Sequence, residues 1–152
     1  MMCTEKELTF STFIFYILSE AWNKTPAEVY KVLNSTGILD GYIIEAYDVL
    51  HTLGKTYLVE DITELAREKG INIPFGDATN KDKILNTKKR ELEDAIIVNI
   101  AEKKNIGIRK AMDMYYSSNT AVKIADMKEI TENMDVNKLA RDVLRNKAYL
   151  ER

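Results

Sequence analysis

Two short motifs constrain this chain more than anything else in it. Thr4-Glu5-Lys6-Glu7 and Thr25-Pro26-Ala27-Glu28 both have the form of a capping box. In that box a threonine oxygen takes an orphan backbone N–H and a glutamate three residues on reaches back to the N-cap N–H. Pro26 stands at the first helical position, where its missing N–H costs nothing. Each box announces a helix, and the apolar residues that follow supply a face to bury. Only two prolines and six glycines occur in 152 residues, too few turn formers for an all-β sandwich. The expectation is an all-α protein of seven or eight helices in two related halves packed on one core.

The first helix is expected to run to about Trp22. It carries Leu8, Phe10, Phe13, Ile14, Phe15, Ile17, Leu18 and Ala21 around most of its circumference. That is wider than one packing stripe, so the helix is either central or shared with a partner. A second helix follows Pro26 and stops by Gly37. A third is predicted from about Asp40 to His51, with Gly54 just beyond it as a left-handed cap. A fourth starts near Thr56 or Tyr57 and ends at Gly70. GINIPFGDATN, residues 70–80, breaks the pattern and reads as a linker. Helices are then predicted over Lys83–Lys104, Ile108–Ser117, a short segment from Thr120, and a last one capped by Asp135. The implied division is 1–70, a linker at 71–82, and 83–152.

The halves echo each other. At an offset of 82, Ile14, Glu20, Asn23 and Ser35 fall on Ile96, Glu102, Asn105 and Ser117. At an offset of 74, Asp61, Leu65, Ala66 and Arg67 fall on Asp135, Leu139, Ala140 and Arg141. The difference is 8 residues, the length of YDVLHTLG, which has no histidine-bearing counterpart in the second half. A degenerate helical repeat is expected.

Composition excludes several function classes. The formal net charge is −2 and the isoelectric point about 5.6, without the basic footprint of a nucleic-acid binder. Cys3 is the only cysteine, so neither an intrachain disulfide nor a thiolate zinc site is available. The apolar run Phe13–Leu18 is far shorter than the roughly 20 residues that span a bilayer. It also lacks a basic n-region and a cleavage site. A cytoplasmic protein without metal or cofactor is expected. There is no Gly-rich phosphate loop, G-x-S-x-G, H-E-x-x-H or EF-hand loop.

The chemistry-bearing candidates cluster around the single histidine. Asp48 and His51 are three apart, so on a helix the carboxylate can accept a bond from the imidazole, as in two thirds of a catalytic triad. The competing reading is a histidine that satisfies free carbonyls at a helix C-terminus. Glu60, Asp61 and Glu64 read as acids opposing the positive end of a helix dipole, or as an acidic patch for a basic partner. Lys81, Lys83, Lys88, Lys89 and Arg90 form the most basic stretch, either a solvated helix start or a phosphate contact. The helix-turn-helix outline of Thr25–Leu50 has the wrong charge for a major groove, since Asp40, Glu45 and Asp48 stand on its second helix with no lysine or arginine. Met112, Met114, Tyr115 and Tyr116 suit either an adaptable contact surface or an irregular core.

YDVLHTLGKTYLVEDI, Tyr47–Ile62, resembles a family of short bacterial proteins of uncharacterised function, marked by Y-D-x-L-H-T followed by Y-x-V-E-D-I. Tyr47, Asp48, Leu50, His51, Thr52, Tyr57, Val59, Glu60, Asp61 and Ile62 carry the resemblance. Pro26-Ala27-Glu28-Val29-Tyr30 and Gly37-Ile38-Leu39-Asp40 extend it, so that it covers roughly residues 8–70. It implies a small helical protein with no assigned activity. Such families are encoded near ADP-ribosyltransferase-like proteins, which implies an antitoxin-like or accessory binding role. Tyr47, Asp48, His51, Thr52, Tyr57, Glu60 and Asp61 are the binding candidates. A protein-interaction module with a protein partner, or a homodimer, is the leading expectation. A small hydrolase or transferase using Asp48 and His51 is the alternative, and a nucleic-acid-binding regulator using Lys81–Arg90 a third.

Overall fold

The computed structural model describes residues 3–73, 83–131 and 134–145. It is all-α, with no strand among the described residues. The elements are α1 (Glu5–Trp22), α2 (Pro26–Ser35), a π-helix (Leu39–Ile44), α3 (Tyr47–Leu50), α4 (Lys55–Glu68), α5 (Lys83–Lys104), α6 (Ile108–Tyr116), α7 (Asn119–Asp126) and α8 (Val136–Arg145). The chain divides into two compact units, residues 9–81 and residues 1–8 with 82–152. The chain passes between the units twice, once inside α1 between Leu8 and Thr9 and once between residues 81 and 82, in the segment expected as a linker.

Both capping boxes form. Thr4 Oγ1 accepts from the Glu7 N–H at 3.2 Å while Glu7 Oε1 accepts from the Thr4 N–H at 2.9 Å. Thr25 and Glu28 repeat these distances. The backbone bonds hold the Glu28 carboxyl below the usual carboxylate range. Asp135 Oδ1 accepts from the Lys138 N–H at 3.2 Å and caps α8. In α1 the residues Leu8, Phe10, Ile14, Phe15, Tyr16, Ile17, Leu18 and Trp22 are buried, and Phe13 and Ala21 are half-buried.

In the unit of residues 9–81, Trp22 Nε1 donates to Thr63 Oγ1 at 2.8 Å and ties the end of α1 to α4. The π-helix packs on α2 and on α3. In the other unit α5 packs on α6, α7 and α8. The Met112–Tyr116 cluster is core: Met112, Tyr115 and Tyr116 are buried and Met114 half-buried.

Two corners are built alike. Asn23 and Asn105 both stand at φ 53°, left-handed backbone that asparagine tolerates better than most residues. The N–H of Lys24 bonds the Ser19 carbonyl at 3.1 Å, and that of Ile106 bonds the Ala101 carbonyl at 3.0 Å. The next helices open from Thr25 at φ −75°, ψ 157° and from Gly107 at φ −71°, ψ 156°. All of these pairs stand 82 residues apart.

The third predicted helix differs from what forms. Leu39–Ile44 is a π-helix, the chain leaves helical geometry at Ala46 (φ −97°, ψ 22°), and only Tyr47–Leu50 resumes. Gly54 is not the left-handed cap expected of it. It stands at φ −75°, ψ 157° as the N-cap of α4, which therefore begins at Lys55. The left-handed glycines are Gly37 and Gly70, at φ 80° and 89°, each just past a helix end.

Candidate functional site

The site grows from the π-helix. Its wider turn buries Leu39, Ile43 and Ile44 on one side. On the other it holds Tyr42 half-buried, with its hydroxyl donating to Asp61 Oδ2 on α4. Burial, then the Asp61 bond and charge, then Tyr57, push the Tyr42 hydroxyl up to about 12. A phenolate there would face a carboxylate, so Tyr42 stays a neutral donor. Sequence reasoning selected Asp61 and missed Tyr42, because nothing in the apolar periodicity distinguishes a tyrosine that bridges two elements from one that simply packs.

YDVLHT forms the rim of the same unit. Leu50 is the buried anchor of α3. His51 is its C-cap and is exposed, with Nδ1 2.7 Å from the Tyr47 carbonyl oxygen. A carbonyl only accepts, so Nδ1 carries the hydrogen of this contact. The imidazole stacks on the Tyr47 ring at 4.4 Å between centroids and 7° between planes. Tyr47 in turn meets the Phe10 ring edge-on, at 5.5 Å and 77°. Thr52 Oγ1 donates to the Val49 carbonyl at 2.7 Å. His51 and Thr52 thus each add a side-chain bond to a carbonyl that already accepts the residue's own backbone N–H. Asp48 is exposed, and among the described residues no hydrogen bond or ion pair joins it to His51. The triad-like pairing gives way because the Tyr47 carbonyl, one turn back along the same helix, takes the imidazole N–H instead.

The acids of α4 do not sit where a dipole would call for them. The helix starts at Lys55, so its first turn holds no acidic residue and Glu60 and Asp61 lie in the second. Tyr57, Asp61, Glu64 and Glu68 share one stripe, with Glu60 beside it. Tyr57 is 52% exposed, and Val49 on α3 is 64% exposed. Lys55 Nζ lies 3.6 Å from Glu20 Oε2. The structure therefore joins Tyr47 to His51 and Tyr42 to Asp61, and leaves Asp48, Glu60 and Tyr57 facing solvent.

The basic stretch is less solvated than expected. Lys89 is only 7% exposed, and its Nζ donates to the Ala125 carbonyl at the end of α7 at 2.7 Å. Burial holds its ammonium below the usual lysine range, with Glu93 opposing that shift. Glu93, 1% exposed, accepts from the buried Tyr115 hydroxyl at 2.7 Å. Lys81 lies outside the described residues, as does the side chain of Lys83. Among the described residues no group of three or more His, Cys, Asp or Glu could hold a metal ion, and no helix is long and apolar enough to cross a membrane.

No curated protein and no solved structure matches the chain. Residues 9–69, which hold the π-helix, the Tyr47–His51 stack and the whole of α4, match the model of a family described as a protein of unknown function, DUF3791.

Proposed function

We propose that the chain is a cytoplasmic protein–protein interaction module whose contact surface is the α3–α4 face of residues 9–81. In this reading it is an antitoxin-like or accessory partner of a co-encoded ADP-ribosyltransferase-like protein, the role implied by the resemblance of its Tyr47–Ile62 segment. The carrying observation is the exposure of Val49, within the YDVLHT rim, and of Tyr57, in the first turn of α4. Exposed apolar side chains bordered by polar ones are what a protein contact uses. The second unit is read as a degenerate repeat that supplies scaffold and lacks this rim. Sedimentation of the isolated protein and a tagged pull-down from the native host test the reading. The expected result is a retained partner with an interface on the order of 1,000 Å² or more in total, lost on Val49→Asp. A chain that retains no partner in either form sinks it.

One observation favours the alternative of a small hydrolase or transferase, namely that His51 is exposed and its contact with the Tyr47 carbonyl engages Nδ1, which leaves Nε2 for proton transfer. His51→Ala separates the two readings. As a cap it costs about 1 kcal/mol of stability, the scale of a lost cap or hydrogen bond. As a base it abolishes turnover and leaves the melting curve in place.

A further inference from the structure

Glu60, Glu64 and Glu68 follow one another at four-residue steps along α4, and all three are exposed. None of them forms a hydrogen bond or ion pair among the described residues. The arrangement works against the helix that carries it. Like charges four residues apart repel. Glu68 closes the helix, at the end where the dipole disfavours a carboxylate. Tyr57 heads the stripe at 52% exposure, and the Tyr42 hydroxyl fixes Asp61 within it. The surroundings share the sign. Residues 39–64 contain six acidic residues and a single lysine, Lys55, which already faces Glu20. Residues 9–81 count ten acidic against six basic, whereas the rest of the chain counts fourteen against sixteen.

We infer that this face docks a cationic amphipathic helix of a protein partner, which sets lysine or arginine at four-residue steps against Glu60, Glu64 and Glu68 and an apolar side chain against Tyr57. The geometry matches because both helices repeat at about 6 Å per four residues, so one charge ladder can lie along the other. The sign rejects a phosphate-bearing partner. A bare cation would leave Tyr57 and Val49 uncovered. The inference rests on the interaction reading above and specifies the chemistry of the partner.

The test uses the full chain, isotope-labelled, and a synthetic peptide of about 18 residues with lysine at every fourth position and leucine on the adjoining face. Two controls are a scramble of the same composition and a glutamate-for-lysine version. Resonance shifts should map to residues 49–68, and affinity should fall at least about tenfold between about 50 and 300 mM salt. Replacing Glu60, Glu64 and Glu68 together by glutamine should weaken binding about tenfold or more and flatten the salt dependence. These positions are exposed, so an unchanged circular dichroism spectrum accompanies the loss. Tyr57→Ser should weaken binding and leave the salt slope unaltered. Equal binding of the scramble, shifts confined to other residues, or an unaffected triple-glutamine variant would each overturn the inference. So would a dimer of the free chain that the triple variant dissociates, since the occupant would then be a second copy. A native partner that binds the triple variant as tightly as the parent would remove this docking mode and leave the interaction reading standing. Absence of any native partner would remove the reading itself.

Discussion

Each unit contains a tyrosine hydroxyl that donates to a carboxylate, and the two bonds sit in different worlds. Tyr115 and Glu93 are both buried, and the bond joins α6 to α5. Tyr42 and Asp61 are half-buried, and the bond joins the π-helix to the acidic face of α4. The first closes a core and the second orients a surface. At the offset of 82, Glu93 and Tyr115 occupy the places that Ser11 and Leu33 hold in the other hairpin, all four fully or almost fully buried. Where α5 and α6 hold a hydrogen-bonded pair, the residues aligned with it on α1 and α2 are a small side chain and an aliphatic one. Similar corners therefore support different interiors.

Converting one interior into the other is the strongest way to break this comparison. Tyr115→Leu should cost about 3 kcal/mol in urea unfolding, from lost ring volume and from a buried Glu93 carboxyl left without its donor. Adding Glu93→Ser, the matched residue, should recover at least about 1 kcal/mol through coupling of the pair. Strict additivity would show that the two hairpins do not correspond at this contact. A smaller loss is expected where α1 ends. Trp22→Phe removes the Nε1 bond to Thr63 and should cost about 1–2 kcal/mol. The matched Lys104 is exposed, and Lys104→Ala should stay within about 0.5 kcal/mol of the parent.

The corners sharpen the comparison instead of breaking it. Asn23→Ala and Asn105→Ala should each cost about 1 kcal/mol, the penalty for a Cβ-bearing residue without a local polar group in left-handed backbone. The two glycine variants should be nearly neutral. Unequal losses would mean that the shared φ of 53° is held by different neighbours in the two units.

How much of this was legible in the sequence follows from which forces act locally. Capping boxes are local chemistry, so the starts at Thr4, Thr25 and Asp135 could be read directly. α5, described from Lys83, ends at Lys104 as expected. The π-helix was not legible. It packs on the flanking α2 and α3, and Tyr42 bonds to Asp61 19 residues on, tertiary contacts that apolar periodicity does not encode. Missing it displaced Gly54 from the start of α4 to the end of the preceding helix, and so placed Glu60 and Asp61 in a first turn they do not occupy. Lys89 was likewise read by its charge, although its aliphatic stem and the Ala125 carbonyl draw it inward.

The rim bond has its own signature in pH. The Tyr42 hydroxyl is raised from 10.0 to about 12 in the folded chain. A raised folded-state value means that its stabilisation is fully present below about pH 10, where the unfolded tyrosine is still protonated. It is lost as pH climbs from there toward 12. Ultraviolet titration of the parent against Tyr42→Phe should show one late-ionising tyrosine missing from the variant. An unchanged late amplitude in the variant would mean that the Asp61 bond does not hold the Tyr42 hydroxyl, and the surface role given to that bond would fall.

The smallest expected effect bears most directly on function. At the offset of 74, Glu64 of α4 falls on Lys138 of α8, while Leu65, Ala66 and Arg67 fall on Leu139, Ala140 and Arg141. Ala66 and Ala140 are both fully buried, so the two helices share an inward contact and differ on the outward face. Glu64→Lys installs the α8 charge on α4. It replaces two repulsions, with Glu60 and with Glu68, by two attractions, and it puts a cation nearer the helix C-terminus. Stability should therefore rise, by about 0.5 kcal/mol at low salt. If the acidic ladder existed for the helix, this reversal would destabilise it. A more stable variant that no longer binds a lysine-bearing helix would show that α4 gives up a little stability to keep its charge. A variant that is more stable and binds as before would mean that Glu64 lies outside the contact and that the docking face ends nearer Tyr57.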